Sequence, residues 1–428
     1  MNTRNKDILS IAVPSIVSNI TVPLLGLVDV TIVGHMGDAA YIGAISVGSM
    51  MFNVIYWIFG FLRMGTSGMT SQAYGRGSKD ETVDMLVRAL AVGVGVGMVF
   101  VAAQWFIGKA ALWAMHPTED ILPYAECYFD ICIWGAPAVM GLYSLTGWYI
   151  GMQNTRVPMM VSIFQNVLNI VSSLAFVYGL GMKVEGVALG TLVAQWAGFV
   201  MALLMLKVKY GEQMQSVSSR ALKDGAAMVR FFTVNRDIFF RTLFLVAVNM
   251  FFTSAGAKQG AVILSVNTLY SFVMDGFAYA GEAIGGKYYG ARDKVNFDDT
   301  VKRLFWWGLG LTLVYTLIYY IAGEGFFRLL TDEPSVLAAS EEYRWWAVAI
   351  PLAGMGAFYW DGLYIGMTAT KGMLVSTFSG ALTFFLVYVG LYSVWGNHAL
   401  WLALILYLVV RGIVQTLLFK GMKGAAVR

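Results

Sequence analysis

Twelve apolar stretches dominate this chain, and each is about as long as a helix that crosses a lipid bilayer. The hydrocarbon core of a bilayer is about 30 Å thick, which about 20 helical residues span. We therefore predict an all-α polytopic membrane protein with twelve transmembrane helices. The predicted spans are residues 8–32, 43–71, 86–107, 124–150, 157–181, 186–207, 237–255, 260–284, 302–322, 343–366, 373–394 and 398–419.

The charge content supports the same class of protein. Hydrophobic residues make up 58% of the 428 residues and charged residues only 13%, against about 25% charged in a typical soluble domain. A soluble protein needs a charged surface, so this chain is expected to face membrane lipid instead. Its basic residues are scattered through short loops rather than gathered in a stripe, and we expect no nucleic-acid partner.

A basic linker divides the predicted helices into two sets of six. We predict an N-terminal six-helix lobe at residues 1–207, a cytoplasmic linker at 208–236 and a C-terminal six-helix lobe at 237–428. Most Lys and Arg residues fall in the loops on the side that holds both termini, which indicates that this side is cytoplasmic. The prediction is a monomeric, multi-pass protein of the cytoplasmic (inner) membrane with both termini in the cytoplasm.

The two halves repeat a sequence pattern at an offset of 215 residues. Gly147-Trp-Tyr-Ile-Gly-Met152 in the fourth predicted span pairs with Gly362-Leu-Tyr-Ile-Gly-Met367 in the tenth, and Tyr74-Gly75 pairs with Tyr289-Gly290. Six helices is an even number, so the halves share one orientation and are related by a pseudo-two-fold axis along the membrane normal. A central cavity between two bundles is the expected consequence.

Asp29 lies late in the first predicted span, where a charge requires a reason. A charged side chain at the bilayer centre costs about 2.5–3.5 kcal/mol on insertion scales. Pro14 and Pro23 interrupt the same helix and permit a bend. Because removal from water disfavours the ionised carboxylate, Asp29 suits a group that gains and loses a proton or binds Na⁺. The alternative is an interfacial carboxylate that simply reaches water.

A polar stripe follows one face of the fifth predicted span. Its members are Ser162, Asn166, Asn169 and Ser173, at steps of 4, 3 and 4 residues. Such a stripe would supply oxygens to a cation or stabilise a protonated carboxyl, or it would hold helices together.

Further charges and aromatic residues lie in the second, eighth and tenth predicted spans. Carboxylates beside aromatic rings suit a pocket for lipophilic cations, and the alternative is that these acids pair with Arg63 or Arg411 in structural ion pairs. Asp361 is predicted to face the substrate cavity, and Glu282 to act in structure or gating. The set predicted to line the cavity or act in gating is Asp361, Glu282, Arg63, Tyr143, Tyr279 and Tyr364.

The sequence contains no motif that is typical of an enzyme. Cys127 and Cys132 lie five residues apart on different faces of one helix, and the three histidines have no metal-ligand spacing. Gly281-Glu-Ala-Ile-Gly-Gly286-Lys287 lacks the Ser or Thr of a P-loop and has no preceding strand. We predict no enzyme, no cofactor and no metal centre other than Na⁺ at Asp29.

Several of these segments resemble the multidrug and toxic compound extrusion (MATE) transporters. The resemblance lies in Val28-Asp-Val-Thr-Ile-Val-Gly-His-Met-Gly37 and, for their DinF-like branch, in Phe61-Leu-Arg-Met-Gly-Thr66 and Trp360-Asp-Gly-Leu-Tyr-Ile-Gly366. It implies an antiporter that exports drugs or organic cations in exchange for protons or Na⁺ by alternating access. A flippase for lipid-linked polyprenyl-pyrophosphate precursors is the alternative, and a passive channel has little support.

The resemblance also implies roles for individual residues. Asp29 matches the family's acid in the first helix, and Asn166 and Asn169 match its polar partners in the fifth. Ser173 stands where many relatives carry a second acid, which favours proton coupling over Na⁺. The 215-residue offset places Phe244 opposite Asp29, so we expect coupling in the N-terminal lobe and substrate contact or gating in the C-terminal one.

Overall fold

The computed structural model describes residues 3–34, 39–217, 220–256, 270–330 and 342–425, and its regular structure within these ranges is helical. Nine helical stretches in these ranges are long and apolar enough to cross a membrane. Twelve spans therefore stay a prediction. Residues 260–269 of the predicted eighth span lie outside the described residues.

Contacts divide the chain into two compact units. The amino-terminal unit is Val17–Arg230, and the carboxyl-terminal unit combines Met1–Ile16 with Phe231–Arg428. The lobe and linker boundaries inferred from the sequence remain a prediction.

The amino-terminal unit holds the second half of α1 and nine further helices. α1 itself runs through Thr3–Gly34 and contributes its first half to the other unit. The further helices are α2 (Ala39–Phe59), α3 (Phe61–Gly75), α4 (Lys79–Ala102), α5 (Gln104–Met115), α6 (Leu122–Cys132), α7 (Ala136–Gly151), α8 (Arg156–Leu174), α9 (Val184–Tyr210) and α10 (Arg220–Lys223).

Within the residues that the structure describes, the carboxyl-terminal unit is built from the start of α1 and seven later helices. These are α11 (Gly225–Ala255), which begins just before the unit boundary, α12 (270–280), α13 (Gly286–Gly290), α14 (Lys294–Leu330), α15 (Arg344–Gly366), α16 (Thr370–Trp395) and α17 (Asn397–Ala425).

Two π-helical turns interrupt the regular helices. One is Ala175–Gly179, directly after α8, and the other is Gly281–Gly285, between α12 and α13. Such turns are rare and often lie at functional sites. Here one follows Ser173 at the end of the polar stripe and the other contains Glu282.

Aromatic contacts stabilise each unit separately. In the amino-terminal unit, Phe52 and Phe129 stack with ring centroids 5.3 Å apart. In the carboxyl-terminal unit, Phe252 meets Trp401 edge to face at 4.7 Å. Rings at these separations attract one another beyond their burial alone.

The repeated glycines mark equivalent helix crossings in the two units. A Cβ added to Gly147 of α7 would lie 2.3 Å from the backbone oxygen of Arg63 in α3. A Cβ added to Gly362 of α15 would lie 2.2 Å from the backbone oxygen of Ala278 in α12. The two backbone partners, Arg63 and Ala278, are also 215 residues apart. The shared glycine spacing therefore encodes one close helix-helix approach, used once in each half.

The turns that follow these helices repeat as well. Gln153 and Thr368 have φ of 64° and 53°, and Gly77 and Arg292 have φ of 72° and 57°. Left-handed conformations are uncommon for residues other than glycine. Their recurrence at one offset shows that the duplication extends to the backbone of the loops.

Candidate ion-coupling site

Asp29 of α1 and Asn169 of α8 meet inside the amino-terminal unit. Asn169 donates a hydrogen bond from Nδ2 to Oδ1 of Asp29 across 2.9 Å. Asp29 is 3% exposed and Asn169 is fully buried. The acid therefore lies away from water, unlike the interfacial carboxylate considered above as the alternative.

The polar stripe on α8 also holds the backbone of α1. The hydroxyls of Ser162 and Thr21 lie 2.9 Å apart, and Asn166 Nδ2 donates to the carbonyl oxygen of Thr21 at 2.9 Å. Beyond the stripe, Tyr178 donates to the carbonyl oxygen of Ile32 at 3.2 Å. The two interpretations of the stripe thus apply to different members, since Ser162 and Asn166 join helices while Asn169 binds the acid.

Two buried oxygens on α8, which packs against α9, have no hydrogen-bond partner within the described part of the chain: Asn169 Oδ1 and Ser173 Oγ. The helices approach closely here, because a Cβ on Gly190 would lie 2.2 Å from Ser173 Oγ. Buried oxygens normally find a partner, and oxygen atoms are the ligands that hard cations prefer.

No positive side chain neutralises Asp29 among the described residues, where its contact with Asn169 is the polar interaction recorded. A group of three or more His, Cys, Asp and Glu suited to a metal ion is likewise absent from those residues. A buried carboxylate costs several kcal/mol unless its charge is balanced. An ionised Asp29 would therefore have no positive side chain of the described residues to balance its charge.

Asp361 of α15 has the opposite environment. Both Arg241 of α11 and Arg411 of α17 form ion pairs with Asp361 Oδ2, and the Arg411 Nη2 distance is 2.8 Å. Gln415 donates from Nε2 to Oδ1 at 2.8 Å. All four residues are at most 8% exposed. The geometry matches the ion-pair alternative for Asp361, with Arg241 added.

Tyr364, assigned to the cavity from its sequence context, is fully buried. Its hydroxyl donates to the carbonyl oxygen of Gln415 at 2.6 Å. Tyr149, its counterpart in the other half, donates to the carbonyl oxygen of Ala202 at 2.8 Å. This repeated tyrosine joins α7 to α9 in one half and α15 to α17 in the other.

The other predicted cavity and gating residues are spread over both units. Arg63 and Tyr143 are half-buried in the amino-terminal unit, and Tyr279 is half-buried in the carboxyl-terminal unit. Glu282, in its π-helical turn, is 1% exposed. Their assignment to substrate contact or gating stays a prediction.

Comparison with known proteins decides the family. The MatE family model matches residues 14–175 and again residues 238–389. The chain belongs to the MatE family. Two matches in tandem also confirm the two related halves, and members of this family are transporters rather than enzymes.

Individual relatives agree with this assignment. The chain is 34% identical over 422 residues to DNA damage-inducible protein F of Escherichia coli (strain K12), covering 96% of this chain and 91% of that one. It is 24% identical over 351 residues to "Probable multidrug resistance protein NorM" of Photorhabdus laumondii, covering 78% and 75%. The predicted resemblance to the DinF-like branch is confirmed.

The fold is also that of a solved relative. A crystal structure of MATE in the bent conformation matches with a TM-score of 0.83 at 18% identity, covering 100% of this chain and 98% of that one. The predicted all-α, two-lobed membrane fold is confirmed. The chain is thus a multi-pass membrane transporter.

Proposed function

We propose that this MatE-family chain exports amphipathic, often cationic compounds in exchange for protons, with Asp29 as the coupling acid. The observation that carries the proposal is the environment of Asp29, which is buried, bound by Asn169 Nδ2 and without a positive partner among the described residues. The proposed location is the cytoplasmic (inner) membrane, with both termini in the cytoplasm.

A carboxyl in this position must change its charge state to take part in exchange. One amide donor offsets only part of the cost of burying a carboxylate, since a hydrogen bond to a charged group contributes about 1.5–3 kcal/mol. Proton binding removes the charge, and proton release to one side of the membrane restores it. That cycle provides the difference between two states that alternating access requires.

Protons are the proposed ion, and Na⁺ is the competing one. Na⁺ would find Asp29 together with the unpartnered oxygens of Asn169 and Ser173. Ser173 provides a neutral hydroxyl, so the site carries one negative charge. A single proton neutralises that charge completely without a shell of ligands.

The proposed substrates follow from the name of a relative and from the aromatic content of the chain. The NorM relative carries multidrug resistance in its name. Aromatic side chains make up 14% of this sequence, and aromatic faces attract organic cations. We expect small-molecule drugs or organic cations as substrates, carried by a monomer surrounded by lipid.

Transport in proteoliposomes tests the proposal. Efflux of a cationic dye is measured under a proton gradient alone and under a Na⁺ gradient alone, for the unaltered chain and for Asp29→Asn. The matched control is Asp130→Asn, which removes an exposed carboxylate from α6 of the same unit. We expect proton-driven efflux that Asp29→Asn abolishes and Asp130→Asn preserves.

Two results would overturn the assignment. Efflux driven by Na⁺ alone would make Na⁺ the coupling ion. Undiminished proton-driven efflux by Asp29→Asn would remove Asp29 from coupling.

Binding of a polyprenyl-pyrophosphate sugar without binding of organic cations would favour the flippase instead.

A further inference from the structure

Helix α1 belongs to both compact units. Its residues up to Ile16 group with the carboxyl-terminal unit and its residues from Val17 onwards with the amino-terminal unit, although the helix is continuous through Thr3–Gly34. The Asp29 site lies in the second half. The contacts of the first half of α1 therefore determine which parts of the protein a change at Asp29 can affect through this helix.

The first half of α1 is packed as a core helix of the carboxyl-terminal unit. Ile8 and Ala12 are fully buried and Ser15 is 3% exposed, at the spacing of one helical face. A Cβ on Gly276 of α12 would lie 2.9 Å from the carbonyl oxygen of Ala12 and 2.3 Å from Ile16. The two helix backbones therefore touch.

Polar contacts fix the beginning of the helix to the start of α14. Arg4 donates from Nη2 to Asn296 Oδ1, and its Nε lies 3.5 Å from Asp299 Oδ2. The guanidinium carbon also lies 4.6 Å from the ring centroid of Tyr288, within the range of a cation–π contact. One arginine thus contacts three side chains around the turn between α13 and α14.

A second arginine, Arg303 of α14, contacts both α14 and the beginning of α1. Arg303 Nε donates to Asp299 Oδ2 at 2.9 Å, and its Nη1 donates to Asn5 Oδ1 at 3.2 Å. Asn296 is itself held by Asp293, and hydrogen bonds from the Asn296 backbone and side chain hold the pKa of Asp293 below its usual value. We name Arg4, Asn5, Asn296, Asp299 and Arg303 the amino-terminal clamp.

The second half of α1 is held just as specifically by α8. Thr21 is bound by Ser162 and Asn166, Asp29 by Asn169, and the carbonyl of Ile32 by Tyr178 (distances given above). These contacts lie within the amino-terminal unit. α1 is therefore a single helix with its beginning bonded to one unit and its end bonded to the other.

We propose that the amino-terminal clamp stays closed through the transport cycle and positions α1 to pass the charge change at Asp29 to the carboxyl-terminal unit. Rigid helices with bonded ends are physical carriers of coupling between sites. A single exposed ion pair contributes little, but the clamp joins several contacts to a buried helix face. The proposal rests on the proposed function of Asp29.

Removal of the clamp should weaken coupling more than binding. Arg4→Ala is expected to lower gradient-driven dye efflux by about fivefold or more, the lower range of typical coupling between sites. Dye affinity in detergent should stay within about twofold. The control is Lys6→Ala, which removes an exposed positive charge two residues away and should leave efflux unchanged. Equal efflux by Arg4→Ala and the unaltered chain would overturn the proposal.

A covalent replacement of the clamp gives the sharper test. The variant combines Arg4→Cys, Asn296→Cys and Cys127→Ser, which removes the half-buried native thiol, while Cys132 is buried. A short flexible bis-maleimide then joins the two new thiols in protein that is already folded, and intact mass confirms the link. We expect low efflux before the reaction and recovery to at least half of the unaltered rate after it.

Failure of this recovery has a defined meaning. Efflux that stays low or falls further after cross-linking would show that the clamp must open, which overturns the proposal. Gradient-driven efflux by the unaltered chain in the same vesicles separates this result from failure of the proposed function. Without that efflux, the coupling role of Asp29 and that of the clamp fall together.

Discussion

The amide of Asn169 lies 2.9 Å from the carboxylate of Asp29, and this contact connects α8 to α1 at a buried position. The second acid, Asp361, is just as buried yet lies between Arg241 and Arg411. One acid thus has a neutral partner and the other has two positive partners. From that difference we propose that the charge of Asp29 changes during transport and that the charge of Asp361 stays constant.

Asn169→Leu is expected to impair coupling. The substitution removes the donor to Asp29 at similar volume, and a hydrogen bond to a charged group contributes about 1.5–3 kcal/mol. Proton-driven efflux should fall about tenfold or more. The control is Asn249→Leu, because the Asn249 amide donates to the Leu245 carbonyl of its own helix. Similar losses for both variants would argue against a specific role for Asn169.

Asp361→Asn is expected to destabilise the protein. Removing one partner of a buried ion pair costs about 3–5 kcal/mol, because buried charge is left uncompensated. The apparent Tm in detergent should fall by several degrees. Glu81→Gln breaks the exposed pair between Arg76 and Glu81, at 2.5 Å, and should cost less than about 1 kcal/mol. Equal shifts in Tm would contradict a structural role for Asp361.

Gly147→Ala and Gly362→Ala should destabilise the two units alike. Each new Cβ would meet a backbone oxygen at 2.3 or 2.2 Å, and overpacking typically costs about 1–3 kcal/mol. Gly95→Ala and Gly310→Ala are the controls, since no atom lies within 4 Å of the added Cβ at either position. Thermal unfolding of all four variants checks this, and stable crossing variants would refute the close helix contact.

Arg88→Leu should release the linker that follows α9. Arg88 is 5% exposed, and its Nε donates to the carbonyl oxygen of Ala221 at 2.8 Å. It lines a cavity of about 510 Å³ together with Asp84 and Asp224. Loss of these contacts favours local opening, so cleavage by trypsin near Arg220 should accelerate about fivefold. The control is Lys79→Ala, which changes an exposed residue. If Arg88→Leu were cleaved no faster than this control, other contacts would hold the linker.

Much of the fold and the first acid could be predicted from the sequence because they leave periodic signals. Apolar length predicts spans, and the 215-residue offset between the segments at Gly147 and Gly362 predicts two related halves. The three- and four-residue steps along α8 placed Asn169 on one face with Ser162 and Asn166. An acid in the first span then needed a partner, and Asn169 is that partner.

Other features required spatial information. Arg241 lies near the start of a predicted span, so its charge was assigned to the cytoplasmic loops, and its pairing with Asp361 depends on helix packing. The division of α1 between two units likewise has no signal in local sequence.

The most direct test of the different roles of Asp29 and Asp361 is substrate-evoked proton release. Proton release per dye molecule is measured in proteoliposomes for Asp29→Asn, Asp361→Asn and the unaltered chain, after each is normalised to folded protein. We predict that Asp29→Asn releases no protons and that folded Asp361→Asn keeps the unaltered ratio. Equal loss of proton release in both variants would contradict the account.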